Sequence, residues 1–256
     1  MIPKTADGRV LFALPWHNRV LAGTTDIAVA EPQLEPRPAK HEIRFILEHL
    51  RHYLTEIPTE DDILSAFAGL RPLIKTGQGR ATAALGRDHT ILVSDSGLVS
   101  VLGGKWTTYR KMAEDAVNRV AEVAKLPKVD SCSAEISIET PEIGALPWPG
   151  GTRRAEGENS VVDSAGLQEP LDEEFPYRRA DVIRAVRDEW ACTVEDVLAR
   201  RTRLLLLDVR ASVKAAPQVA SILAGQLGHD SSWEREQVQE FVELAEGYLP
   251  EGAITP

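Results

Sequence analysis

The sequence predicts an α+β chain: a partial antiparallel sheet and a strand–helix piece, followed by an all-α bundle. Three observations carry that expectation. Short apolar runs broken by turn residues fill the first hundred positions. The stretch LVSVLGGKWTTYRKMAEDAVNRV, residues 98–120, reads as a strand, two glycines and an amphipathic helix. Beyond residue 176, apolar residues recur at helical spacing.

From the start of the chain, Val10–Leu14 and Val20–Ala22 flank PWHN, a hairpin pattern. EPQLEPRP, residues 31–38, is too rich in proline for either regular element. Ile43, Ile46, Leu47, Leu50 and Leu54 then mark a helix that Pro58 ends. Ile63, Ser65 and Phe67 alternate as in a strand. HTILVS and LVSVLGG are two more strands joined by DSG, and a helix over 107–123 carries Met112, Ala116, Val120 and Val123 on one face. From 126 to 176 periodicity gives way to Pro, Gly, Ser and Glu, with short strands expected near Ala134–Ile138. In the final part Val182, Ile183, Val186 and Trp190 form a stripe. Thr193 with Asp196, and Ser231 with Glu234, read as N-terminal capping boxes, and Pro217 as the first residue of a helix. With stripes and caps complete within 176–250, this part is expected to fold when cut out.

Composition excludes several classes. With 43% hydrophobic and 27% charged residues, the chain reads as an ordinary soluble globular protein. Its longest apolar run, Leu204–Leu207, falls far short of a membrane span, and MIPKTADGRV has no apolar signal region. Cys132 and Cys192 form no CxxC pair, so a reducing cytoplasm is the default compartment and no disulfide or zinc site is expected. Residues 1–128 hold 17 Lys and Arg against 15 Asp and Glu, and the remainder 12 against 24. The acidic second half argues against nucleic acid as a partner. Arg200, Arg201 and Arg203 are accordingly expected to pair with nearby acids rather than read DNA. His49 and His52 have helical spacing without a third ligand, so no metal is expected.

The chemistry concentrates in SAFAGLRPLI, LGRDHTILVS and GGKWTTYR, each of which delivers one cation at a strand end or turn: Arg71, Arg87 and Lys105. Three cations at converging strand ends can hold a phosphate or carboxylate, the arginines as forks and the lysine as a point charge. The alternative is that each solvates a sheet edge or pairs with Asp88 or Asp95. Gly103-Gly104 before the helix permits close approach of a cofactor, with Thr107 and Thr108 as caps or donors; an ordinary strand–helix turn reads the same way.

Taken together and in this order, MIPKTADGRVLFALPWHNRVLAGTTD, AGLRPL, RDHTI, GGKWTTYRKMAEDAV and DEWACTVEDVLARRTRLLLLD resemble the second part of the FAD-dependent glycerol-3-phosphate dehydrogenases. The resemblance spans nearly the whole chain apart from about 139–175. It implies oxidation of sn-glycerol 3-phosphate to dihydroxyacetone phosphate, hydride transfer to FAD and electron delivery to a quinone at the membrane surface. It further implies that Arg71 lies near the reacting hydroxyl, that Arg71, Arg87 and Lys105 bind the substrate, and that Gly103, Gly104, Lys105, Trp106, Thr107 and Thr108 meet the flavin ring. The implied division is a partial substrate-binding sheet region over 1–102, the C-terminal strand–helix element of the FAD-binding domain over 103–126, an irregular connection over 127–175 and a helical domain over 176–256.

The family's nucleotide half, with its glycine fingerprint, has no counterpart in these residues. The FAD site is therefore expected to be incomplete, the chain inactive alone, and its partner a second copy or the missing N-terminal half. A cytoplasmic location, peripheral on the inner membrane face, follows from the same resemblance. Two alternatives stand beside it: a non-catalytic helical interaction module, and a glycerol-phosphate oxidase that passes electrons to oxygen.

Overall fold

A computed structural model describes residues 1–3, 5, 8, 10–71, 89–136 and 166–250. The fold is α+β, with small antiparallel sheets and a helical C-terminal region. The chain divides into two units. The larger comprises Met1–Asp26, Gln33–Gly69 and Pro141–Pro256, and the smaller Ile27–Pro32 and Leu70–Thr140.

The larger unit begins with β1 (Phe12–Trp16) and β2 (Arg19–Gly23), paired antiparallel in the register Phe12 to Gly23 through Trp16 to Arg19. Pro15 and Trp16, expected in the turn, belong to β1. The turn is His17-Asn18 alone, with φ of 49° and 58°. Left-handed backbone at both central residues gives the twist that matches the strands it joins. Helix α1 (Lys40–Leu50) packs on this hairpin, placing Leu50, Phe45 and Ile46 against Leu11, Ile2, Ala13 and Ala22. Buried Glu42 closes the helix start, accepting from Ala39 N–H at 3.0 Å and from the Thr25 hydroxyl at 2.5 Å.

The strand expected at Ile63–Phe67 is absent. After a short 3-10 turn at Glu60–Asp62 the segment runs on without a ladder. Its backbone groups go to helix ends instead: Leu64 C=O accepts from Val209 N–H at 3.0 Å, and Ala66 N–H donates to Tyr248 C=O at 2.7 Å. Alternation alone does not reveal which partner a backbone takes.

The core of this unit is helical. Helix α3 (Arg179–Glu189), a π-helical turn (Asp196–Arg201), α4 (Leu204–Leu207), α5 (Val209–Leu227) and α6 (Ser231–Glu246) surround fully buried Tyr177, Val182, Leu198, Leu204, Leu223 and Phe241. Trp16 of β1 packs against the same core, and the Arg19 guanidinium lies 5.2 Å from the Phe175 ring centre while pairing with Glu174.

Thr193 and Asp196 form the expected capping box in both directions, at 3.0 and 3.2 Å. Burial alone would raise Asp196, but the Cys192 N–H, the Thr193 hydroxyl, Arg200 and Arg201 outweigh it and hold the carboxyl below its usual range. Three other expectations in this region are corrected. Helix α6 is capped by Asp230, which accepts from Ser232 and Trp233 N–H, so Ser231 lies inside it. Pro217 sits within α5, which begins eight residues earlier behind the Asp208 cap. Helix α3 stops at Glu189 because Trp190 adopts φ 58°, which turns its side chain into solvent at 84% exposure. Of the arginine cluster, Arg200 pairs locally with Glu195 and Asp196, and Arg201 with Asp196 and the Glu189 carbonyl.

The smaller unit contains β3 (His89–Val93) and β4 (Val99–Gly103), paired antiparallel, and α2 (Tyr109–Val123). No described residue in it is buried. Val117, Val120, Leu98 and Leu102 are all exposed. Ser133–Glu135 form a turn, and residues 137–138 of the strand expected there lie outside the described residues.

This contrast fixes an expected outcome for stability. Leu223→Ala, in the helical core, is expected to cost about 2–5 kcal/mol. Val117→Ala, at 66% exposure on α2, should stay within about 0.5 kcal/mol. Denaturant unfolding of the chain measures both.

Candidate functional site

Of the residues singled out in the sequence, the glycine pair is the most fully described. Strand β4 ends at Gly103 with φ 72°, and Gly104 follows with φ 85°. Two consecutive left-handed residues reverse the chain where only glycine is unstrained. Lys105 returns to extended backbone at φ −135°, and Trp106–Thr108 make one 3-10 turn before α2. Thr108 locks that turn: its hydroxyl donates to Lys105 C=O at 3.0 Å and accepts from Lys105 N–H at 3.3 Å. It serves the turn and does not cap α2 with its side chain.

The turn is filled from behind. A Cβ on Gly104 would overlap the Met112 thioether and press on His89 Cβ at 3.3 Å. His89 is tied to α2 by its Nε2, 3.0 Å from Asp115 Oδ2, and Lys111 holds the other carboxylate oxygen at 3.0 Å. The Lys111 hydrogen bond, with that of His89, keeps Asp115 below the usual carboxylate range despite some desolvation. One side of the turn is thus packed against its own helix and strand. Lys105, Trp106 and Thr107 are exposed, Trp106 at 85%, with its ring stacked 5.4 Å from that of Tyr109. A planar apolar group and a cation presented beside two left-handed glycines can meet a flat, anionic ligand.

The other expected cations are placed less fully. Arg71 is exposed at the end of the described run that follows Gly69. Arg87 lies outside the described residues, as does the loop before it. The convergence of Arg71, Arg87 and Lys105 is therefore a proposal. His41, His49 and His52 sit on or just after α1, with His49 Nδ1 2.7 Å from Phe45 C=O; among the described residues no group of acids, cysteines and histidines could hold a metal. Neither cysteine of the chain is in a disulfide.

Sequence reasoning did not single out Met112 and Asp115 as supports of the glycine turn. The signal was present: both lie on α2, one and two turns past GGKWTT.

Comparison with known proteins gives this geometry its context. Residues 1–110 match the family model described as FAD dependent oxidoreductase, and residues 152–236 match the C-terminal domain of alpha-glycerophosphate oxidase. A probable mitochondrial glycerol-3-phosphate dehydrogenase of Caenorhabditis elegans is 37% identical over 96% of this chain and 38% of its own length. The mitochondrial glycerol-3-phosphate dehydrogenase SDP6 of Arabidopsis thaliana is 31% identical over 97% of this chain and 45% of its own. The rat mitochondrial enzyme is 33% identical over 96% and 37%. The chain thus spans less than half the length of these relatives. The solved glycerol-3-phosphate dehydrogenase of Bacillus halodurans, complexed with FAD, shares the fold at a TM-score of 0.66 with 23% identity, over 98% of this chain and 53% of that one.

Gly104→Ala is expected to destabilise the β3–β4–α2 unit by about 1–2 kcal/mol, the cost of a left-handed backbone for a residue with a Cβ. Adding Met112→Ala should recover little, because a flexible thioether moves aside at small cost while φ does not. Amide exchange in β3 and β4 reads both variants. In the order of its two domain matches and in the relatives that span nearly all of it, the chain is similar to FAD-dependent glycerol-3-phosphate dehydrogenases over part of their length.

Proposed function

We propose that this chain supplies the substrate-facing and flavin-ring-facing portion of an enzyme that oxidises sn-glycerol 3-phosphate to dihydroxyacetone phosphate. FAD is its hydride acceptor and a quinone its electron acceptor. The observation that carries this reading is the Gly103–Thr108 turn, whose glycines are left-handed and whose Lys105 and Trp106 are exposed.

The turn fits the ring end of a flavin by the chemistry of its groups: close backbone approach at the glycines, an aromatic plane, a cation and the Thr107 hydroxyl. The nucleotide end has no comparable match, since no GxGxxG occurs in the 256 residues. When bound, FAD supplies the two-electron acceptor for hydride from the secondary alcohol carbon.

The chain's own residues bind and orient. Arg87 and Lys105 hold the phosphate, the first as a fork and the second as a point charge. Arg71 faces the reacting hydroxyl and stabilises the negative charge that grows on its oxygen as hydride departs. Gly103, Gly104, Trp106, Thr107 and Thr108 line the ring. Delivery to a quinone places the assembled enzyme on a membrane surface; among the described residues no helix is long and apolar enough to cross a membrane.

Oxygen as acceptor is a second reading, favoured by the oxidase in the description of the C-terminal domain match. The dehydrogenase names of the relatives that span nearly the whole chain favour the first. A bare interaction module is disfavoured by the oxidoreductase match over 1–110.

Purified alone, the 256-residue chain is expected to carry no stoichiometric FAD and to show no turnover; a flavin spectrum with dye reduction by glycerol 3-phosphate would contradict this. In an enzyme completed with the remaining part of a relative, Arg71→Lys should lower kcat by roughly tenfold to a thousandfold, as for a lost charge-stabilising donor. Arg87→Ala should instead raise KM for glycerol 3-phosphate more than it lowers kcat, because phosphate binding is shared by ground and transition states. Full kcat in Arg71→Lys at normal flavin content would remove its catalytic role.

A further inference from the structure

The turn between β4 and α2 is also tied to a third element, β3. His89 opens β3 opposite Gly103, the last pair of the β3–β4 ladder, so its main chain meets the strand end from which the turn departs. Its side chain crosses to the helix at which the turn arrives. There Nε2 lies 3.0 Å from Asp115 Oδ2, in the second turn of α2. Between these two points the chain runs through Gly104–Thr108. One residue thus closes strand end, glycine turn and helix start into a ring, and all of it lies within the smaller unit.

The ring is tightly filled. Met112 Sδ and His89 Cβ occupy the space that a Cβ on Gly104 would need. The His89 and Asp115 side chains are half-buried, at 21% and 31% exposure. Asp115 is held below the usual carboxylate range, first by its hydrogen bond from Lys111, so at neutral pH it is ionised and can only accept. His89 Nε2 is therefore the donor in this pair. The Thr108 hydroxyl sets the inner shape of the turn, whereas His89 and Asp115 set how the turn sits between strand and helix. No described residue of this unit is buried, so a packed core does not do this for them.

We propose that His89 and Asp115 are positioning residues for the reaction: the ring they close holds the Gly103–Thr108 turn, and Lys105 within it, in its working arrangement before any ligand arrives. This deepens the reading of the turn as a flavin and phosphate contact, and it rests on that reading.

His89→Ala and Asp115→Ala open the ring from opposite sides. His89→Gln keeps a donor, because its amide N–H can stand in for Nε2. Thr108 N–H, which donates to Lys105 C=O at 3.0 Å, reports on the turn. In the 256-residue chain both alanine variants should accelerate hydrogen exchange at this amide by about tenfold or more, with the amides in the middle of α5 unchanged. In the completed enzyme both should shift the flavin absorption bands and lower kcat by roughly tenfold to a hundredfold, the scale of a small misplacement by a mutation away from the chemistry. His89→Gln should restore the exchange rate, the bands and most of kcat.

Unchanged exchange at Thr108 in both alanine variants would overturn the proposal. So would a His89→Gln variant that behaves as His89→Ala does, or unaltered bands and kcat in an enzyme that Trp106→Ala perturbs. If Trp106→Ala is silent as well, the turn does not meet the flavin, and the reading beneath the inference falls with it. The exchange data need neither ligand nor turnover, so they show which of the two failed.

Discussion

A buried helix end must find partners for backbone groups that its own helix leaves unpaired, and the larger unit is organised around that constraint. The helical core buries apolar side chains from α3 through α6 together with Leu171, Phe175 and Tyr177, and Trp16 of β1 packs against it. Its ends close only in part by themselves. Asp208 and Asp230 cap α5 and α6 with side chains from the adjacent residue. Gly247, Tyr248 and Leu249 N–H close the last carbonyls of α6, and Leu64, Ala66 and Arg37, more than 140 residues away in sequence, add bonds to Val209 N–H, Tyr248 C=O and Leu244 C=O. Caps and stripes within 176–250 are therefore only part of what the bundle uses. An irregular segment gains a fixed path in return, although it has no strand partner and exposes Phe67 and Leu70.

The smaller unit follows a different logic. Its strands pair, and its helix is held by His89, Asp115 and Lys111, but its described residues bury no core. Its precision is local: two left-handed glycines, a hydroxyl-locked 3-10 turn and a thioether behind them. Such a turn keeps its shape through short-range geometry. Ion pairs along α2, such as Arg119 with Glu122, are exposed and contribute about 1 kcal/mol or less each.

Much of the fold was legible in the sequence because its signals are local. The hairpin showed in two apolar runs around PWHN, α1 in its isoleucine and leucine spacing, and the glycine turn in LGGKWTT. The failures share a cause. Ile63–Phe67 alternates like a strand, but its hydrogen bonds go to Val209 and Tyr248, which no local pattern announces. Pro217 looks like a helix start unless Asp208 is recognised as the earlier cap, and Trp190 looks like part of a stripe unless its left-handed backbone is known. GGKWTT announced the left-handed glycine turn that the structure has, whereas the Tyr248–Glu35 and Arg37–Leu244 contacts bridge more than 200 residues and left no motif.

Three cations, Arg71, Arg87 and Lys105, are proposed to hold glycerol 3-phosphate. The most direct measurement is a crystal structure of the chain completed with the remaining part of a relative and bound to FAD and a glycerol 3-phosphate analogue. The expected result has Arg87 and Lys105 on the phosphate, Arg71 beside the secondary hydroxyl, and Gly103–Thr108 against the flavin ring. A phosphate held elsewhere, with Arg71 turned to solvent and the glycine turn away from the flavin, would contradict the assignment.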